Sequence, residues 1–364
     1  MLCDQEPGKV GREFFKAFSA KAVKRRIPLL GGIELTSRCN LNCIHCYVSH
    51  QNRKAKNNQT ELTSRQWMNL IDQATDAGCL NLLFTGGETL LRPDFSQIYS
   101  HARKNGLVVT VFTNGTLIDD RVIEIFAKYP PNCVEISLYG LTAKTYEQVT
   151  GVAGSFEKCM QGIYRLKENG FLVKLKTMLL SVNINEFNDM EKFAAGLNVP
   201  FRFDAMVYPR LDFDKTPMKY RVSPKDAVKK EFSDPTRSKD WYHFFKRMGT
   251  LPVKRDLYQC GAGLTMFHID STGKMSPCLM AFDVCQDLLN STFRNVWYGE
   301  RFKQFREDQL APAKCRDCEL KCLCGYCPGF FKLETGSKKI HSEFLCEIGK
   351  ARKQAIDNLS TKVS

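Results

Sequence analysis

From residue 31 to about 204, short runs rich in β-branched and aromatic residues alternate with longer stretches of helical apolar spacing. Runs at 32–36, 81–84, 107–113, 133–138, 173–180 and 200–204 read as strands, and 64–77, 93–105, 119–128, 155–169 and 185–195 as helices. Ser64 and Asp119 suit helix N-caps, while Gly78 and Gly106 suit helix ends. This succession predicts a parallel sheet covered by helices. Six units are too few to close an eight-stranded barrel, so the expected α/β fold is a partial (β/α)6 barrel over 31–210.

The flanking pattern differs. Residues 1–30 form an N-terminal extension, whose basic run at 21–26 reads as the solvated face of a surface helix. Residues 211–257 are rich in Pro, Asp and Lys and read as a connecting segment with two short helices. From 258 to 346 the chain is cysteine-dense and irregular, a small domain held by metal more than by a core. Within it, 266–278 alternates around Ser271-Thr272-Gly273 like a β-hairpin, and 347–364 reads as a tail.

With 364 residues, 43% hydrophobic and 25% charged, the composition is that of a globular protein. No apolar run reaches the roughly 18 residues that a membrane span needs. The start, MLCDQEPGKV, has early acids and no apolar stretch, so it is not a secretory signal, and a cytoplasmic location is expected. Sixteen cysteines are many for a reducing compartment, where clustering points to metal or catalysis. Nine lie between Cys260 and Cys346; Cys3, Cys79, Cys133 and Cys159 are isolated and read as small hydrophobes. The formal charge of +14 suits an acidic peptide, an acidic electron donor or a nucleic acid and does not choose among them.

The strongest chemical signal is Cys39-x3-Cys43-x2-Cys46, directly after the first strand. Three soft thiolates on a short loop suit three corners of an iron–sulfur cluster and leave one position open for chemistry. Zinc completed by His45 or His50 is the alternative. Cys39, Gly86, Thr113-Asn114, Ser137 and Asp204 all fall at C-terminal strand ends, where parallel β/α folds gather reactive groups. Asn114 in "TNG" reads as a turn residue, and Asp204 as either a substrate contact or an ion-pair partner of Arg202 or Arg210. A second set runs Cys260, Cys278, Cys315-x2-Cys318-x5-Cys324-x2-Cys327 and Cys346; its CxxC pairs also fit structural zinc.

The triplet, together with Gly86-Gly87-Glu88 in "FTGGETL" at the second strand end, resembles the radical S-adenosylmethionine (SAM) superfamily. The resemblance implies that Gly86, Gly87 and Glu88 hold the SAM amino group, that Tyr47 packs near the adenine and that Ser137 contacts the ribose. The second set resembles the SPASM extension of peptide maturases, which carries two auxiliary 4Fe–4S clusters. That implies an outer cluster on Cys315, Cys318, Cys324 and Cys346, and an inner one on Cys260, Cys278 and Cys327. The interval before Cys327 is one residue shorter than the family pattern, and Cys322 or Cys285 could substitute there.

The implied activity is cleavage of SAM to a 5′-deoxyadenosyl radical that abstracts hydrogen from a substrate, with a flavodoxin- or ferredoxin-type electron donor. The substrate expected is a peptide or protein side chain; a tetrapyrrole or peptide-derived cofactor precursor is the alternative. Sulfatase maturases place an aspartate after the second auxiliary cysteine, and Leu279 stands there. Only 38 residues precede Cys39, so leader recognition is expected to need a separate leader-binding protein or the catalytic domain itself. A non-enzyme reading, as an iron–sulfur scaffold or nucleic-acid binder, expects a basic groove interleaved with aromatics, which the sequence lacks.

Overall fold

The computed structural model describes residues 9–48, 61–249, 253–307 and 309–363; Cys3 and His50 lie outside them. All six expected strands form: β1 (Leu30–Thr36), β2 (Asn81–Gly86), β3 (Val108–Thr113), β4 (Cys133–Ser137), β5 (Val173–Met178) and β6 (Phe201–Asp204). They pair in parallel in chain order. Alternate residues Ile33, Leu35, Phe84, Val111, Ile136 and Leu175 are buried under the helices, against Trp67, Tyr99 and Phe126. Each such side chain contributes about 1.5–3 kcal/mol.

The first barrel helix, Ser64–Asp76, is capped by Thr63 rather than Ser64. The Thr63 hydroxyl accepts from the Gln66 amide at 3.3 Å, and the Gln66 side chain accepts from the Thr63 amide at 2.8 Å. Asp119 caps Asp120–Lys128 as expected, accepting from the Val122 amide at 3.0 Å. The β4–β5 connection holds the expected helix, Ser155–Glu168, and ahead of it a second, Ala143–Thr150, that was not expected.

The cysteine-rich region is joined to the barrel through its sheet. The expected hairpin forms from β7 (Met266–Ile269) and β8 (Lys274–Ser276), with β9 (Gln286–Asp287) beside it. β7 also pairs in parallel with β1, so one nine-stranded sheet runs from β6 to β9. Gly31 allows this: a Cβ there would strike the ring of Phe267. The region is not irregular, because helices at Phe293–Tyr298, Glu300–Arg306 and Pro328–Thr335 fill much of it. It also has its own small core, in which Phe330, Phe331 and Leu345 pack with Cys315. The expected tail is the body of a 21-residue helix, Glu343–Val363, tied to Pro224–Glu231 by Arg352 and Glu231 at 2.7 Å.

The barrel's inner face carries polar side chains among apolar ones such as Leu83 and Phe112, unlike most parallel sheets, which are apolar on both sides. Glu34 is 8% exposed there. Its Oε1 accepts from the Tyr47 hydroxyl at 3.4 Å and stands 3.7 Å from Nε2 of His268. Burial, reinforced by the charge of Asp270, pushes the Glu34 carboxyl up to about 8. Burial likewise drives His268 down to about 4, so both groups are neutral at pH 7.

Arg92 ties the top of β1 to the start of the helical layer. It is 7% exposed, donates to the Leu35 carbonyl at 2.7 Å and the Leu62 carbonyl at 3.0 Å, and pairs with Asp94 at 2.7 Å. Arg92→Ala is expected to lower stability by about 3 kcal/mol, read as a shifted urea midpoint. Glu34 gives a pH test. Its folded pKa lies above the unfolded one, so its contribution is complete below about pH 4.5 and is lost as pH rises towards about 8. Glu34→Gln should therefore match the parent at pH 5 and exceed it at pH 9, by a difference on the order of 3 kcal/mol in urea unfolding.

Candidate active site

The loop that follows β1 is held by backbone contacts from three directions. The Asn42 and Ile44 amides donate to the carbonyls of Thr150 and Val149, at 2.8 and 3.0 Å, which is the work of the unexpected helix Ala143–Thr150. Glu61 accepts from the Ser37 amide at 2.9 Å and the Thr36 hydroxyl at 2.7 Å. Buried Arg210 donates to the Cys46 carbonyl at 2.7 Å, and its Nε pairs with Asp214 at 2.9 Å.

The end of β2 presses on the same loop. The amides of Gly87 and Glu88 donate to the carbonyls of Thr36 and Arg38, at 2.7 and 2.8 Å. A Cβ at Gly86 would collide with the Thr36 carbonyl, and one at Gly87 with the Arg38 carbonyl. Gly86 also has a φ of 138°, which disfavours side chains. The two glycines are thus required by backbone-to-backbone approach beside the cysteine loop.

These elements open on one cavity of about 450 Å³. Cys39, Cys43, Cys46, Tyr47, Gly86, Gly87 and Ser137 all line it. Glu88 does not: it is 1% exposed, and its carboxylate accepts from the Thr113 hydroxyl, the Asn114 amide and the Leu90 amide at 2.8, 2.7 and 3.1 Å. Burial raises its pKa despite those donors. Glu88 therefore clamps the end of β2 to the end of β3. Asn114 is a turn residue, as expected, accepting from the Thr116 amide at 2.9 Å. Its own amide also donates to Asn40 at 2.9 Å, reaching the cysteine loop.

Asp204 lines the cavity, but neither expected ion pair forms, because Arg202 engages Glu135 at 2.7 Å and Arg210 engages Asp214. His45 packs edge-on against Tyr139 with ring centres 4.8 Å apart. Tyr139 lies at the triplet: burial, then the charges of Cys43, Cys46 and Cys39, hold its hydroxyl well above the usual range. The sequence reading missed Tyr139, Glu34, His268 and Lys176. The available signal was polar side chains on the inward alternate positions of parallel strands, as in Glu34 and Thr36 or Lys174 and Lys176.

Seven of the remaining cysteines form two neighbourhoods. Burial, then Cys346, Cys315 and Cys318, pushes Cys324 up to about 12. Burial, with Cys327 and Cys260, does the same to Cys278. Cys322 stands near Cys318, beside the first group rather than the second. Thiols that raise one another in this way fit a cationic cluster, which would relieve the repulsion on deprotonation. Among the described residues, the one trio of ligating side chains within 4.8 Å of each other is His341, Glu343 and Cys346.

Comparison with known proteins agrees with this arrangement. Residues 33–194 match the radical SAM superfamily, and 260–319 match the SPASM iron–sulfur cluster-binding domain. The AdoMet-dependent heme synthase of Methanosarcina barkeri is 27% identical over 323 residues, covering 82% of this chain and 91% of that protein. The mycofactocin maturase MftC of Mycobacterium tuberculosis is 27% identical over 303 residues, covering 78% and 74%. Streptococcus suis SuiB bound to S-adenosylmethionine shares the fold, with a TM-score of 0.68 at 18% identity over 95% of this chain and 82% of that one. The two matched domains imply 4Fe–4S clusters and SAM as cofactors. With its strand-end cavity and its cysteine-rich C-terminal region, the chain belongs to the radical SAM superfamily, as an enzyme carrying a SPASM domain.

Proposed function

We propose that this enzyme removes a hydrogen atom from a peptide or protein side chain held in the barrel cavity, acting as a maturase. The observation that carries the reading is the meeting of Cys39, Cys43 and Cys46 with Gly86, Gly87 and Ser137 in one cavity. The three thiols would hold a 4Fe–4S cluster with one corner free. Bound there and reduced, that cluster supplies the electron that cleaves SAM to methionine and a 5′-deoxyadenosyl radical.

The chain's own part is orientation and exclusion of water. Gly86 and Gly87 present bare backbone to the SAM amino group, with Glu88 fixing their strand end. Ser137 would face the ribose and Tyr47 the adenine. Cys315, Cys318, Cys324 and Cys346 would hold the outer auxiliary cluster, and Cys260, Cys278 and Cys327 the inner one. An acidic flavodoxin- or ferredoxin-type donor suits the +14 formal charge, and a separate leader-binding protein could deliver a peptide. A cytoplasmic setting suits such donors; no helix among the described residues is long and apolar enough to cross a membrane.

A second reading has its own support. The heme synthase relative aligns over most of both chains, which favours a tetrapyrrole substrate. Product analysis by mass spectrometry on a porphyrin and on a precursor peptide separates the two.

Anaerobically reconstituted protein should carry about twelve irons if three cubane clusters form, and four irons with zinc would remove the auxiliary clusters. Incubation with SAM and a strong reductant should release 5′-deoxyadenosine. Cys43→Ala should abolish the release, and undiminished release from that variant would overturn the enzyme reading.

A further inference from the structure

Lys176 points into the barrel from β5, where it lines the cavity. Its ammonium lies 2.8 Å from the centre of the Phe112 ring. Among the described residues it makes no hydrogen bond and no ion pair. The acid nearest in charge, Glu135, is already taken: Nε and a terminal nitrogen of Arg202 donate to it at 3.1 and 2.7 Å. Burial, with Arg202 pushing the same way, holds the Lys176 pKa well below its usual value.

An ammonium resting on an aromatic face is only weakly stabilised by it, and no protein acceptor replaces the hydration that this half-buried nitrogen gives up. Packing alone would be served by an apolar side chain, such as Met178 two residues along the same face. A basic nitrogen kept here without a protein acceptor, at the wall of an open cavity, suits an anion that arrives from outside.

The sheet register says which anion. Ser137, Lys176 and Arg202 are direct partners across β4, β5 and β6, so their side chains share one row on the inner face. Neighbouring strands are about 4.8 Å apart, placing Lys176 one strand and Arg202 two strands beyond Ser137, away from the cysteine loop on β1. With Ser137 facing the SAM ribose, as in the function proposed above, the two cations lie past the cofactor, where substrate must sit.

We propose that Lys176 and Arg202 form an anion-binding wall that recognises a carboxylate of the substrate. The group could be a propionate of a tetrapyrrole or a side-chain or terminal carboxylate of a peptide. Lys176 supplies an amine with no protein acceptor, which is held protonated once the carboxylate arrives; Arg202, with its side chain 54% exposed, supplies free N–H donors beside its bond to Glu135.

The test is brief acetylation of the iron-loaded protein under nitrogen, with Lys176 followed by mass spectrometry. Sodium propionate should slow its modification about fivefold or more, and SAM alone should not. No protection by propionate, or equal protection by SAM, overturns the proposal, the second by assigning the ammonium to the cofactor's own carboxylate. A second arm measures binding of iron coproporphyrin III to the parent, Lys176→Met and Lys176→Arg. About tenfold weaker binding by Lys176→Met, restored by Lys176→Arg and with SAM affinity unchanged, supports the wall. Measurable and equal binding by all three overturns it. Protection by propionate without porphyrin binding keeps the carboxylate site and removes only the tetrapyrrole reading.

Discussion

Everything at the catalytic end of the barrel rests on one close approach, that of the Gly86–Gly87 backbone to the carbonyls of Thr36 and Arg38. Two peptide segments touch there with no side chain between them. The cysteine loop must leave β1 in the direction this contact allows, and Arg92 and Glu61 then fix its first turn. Glu88 carries the constraint one strand further, because its carboxylate bridges to β3 through Thr113 and Asn114. The position of three reactive thiols is therefore set by rigid sheet and short polar clamps, although the thiols themselves stand on a loop.

Much of this was legible beforehand. Strand and helix periods are properties of the local chain, so β1 to β6 and the cap at Asp119 follow from the residues in each segment. The cysteine spacing and the Gly-Gly-Glu motif were legible because each combines scarce residue types in a short span. Glu88 shows the limit of motif reading. Its place in the motif suggested a ligand-facing carboxylate, whereas all three of its donors come from the protein and it lies outside the cavity lining.

What stayed hidden is what depends on distant parts of the chain. Pairing of β7 with β1 joins residues more than two hundred positions apart, and nothing local in "MFHI" declares a partner. The helix Ala143–Thr150 was missed because its eight residues mix threonines and a lysine with few apolar positions. Lys176 and Glu34 carry no local motif that separates them from other polar strand residues. Curvature of the sheet turns their face inward, where Lys176 lines the open cavity.

Because β7 hydrogen-bonds along β1, the strand that launches the cysteine loop has neighbours on both sides. Cutting the chain after the barrel, at about residue 257, would not release a tidy catalytic half. It would strip β1 to an open border of unmet amides and carbonyls and uncover the hollow around Gly31 that the Phe267 ring fills. The sheet edge that carries the cysteine loop is thus completed by a strand from the other end of the chain.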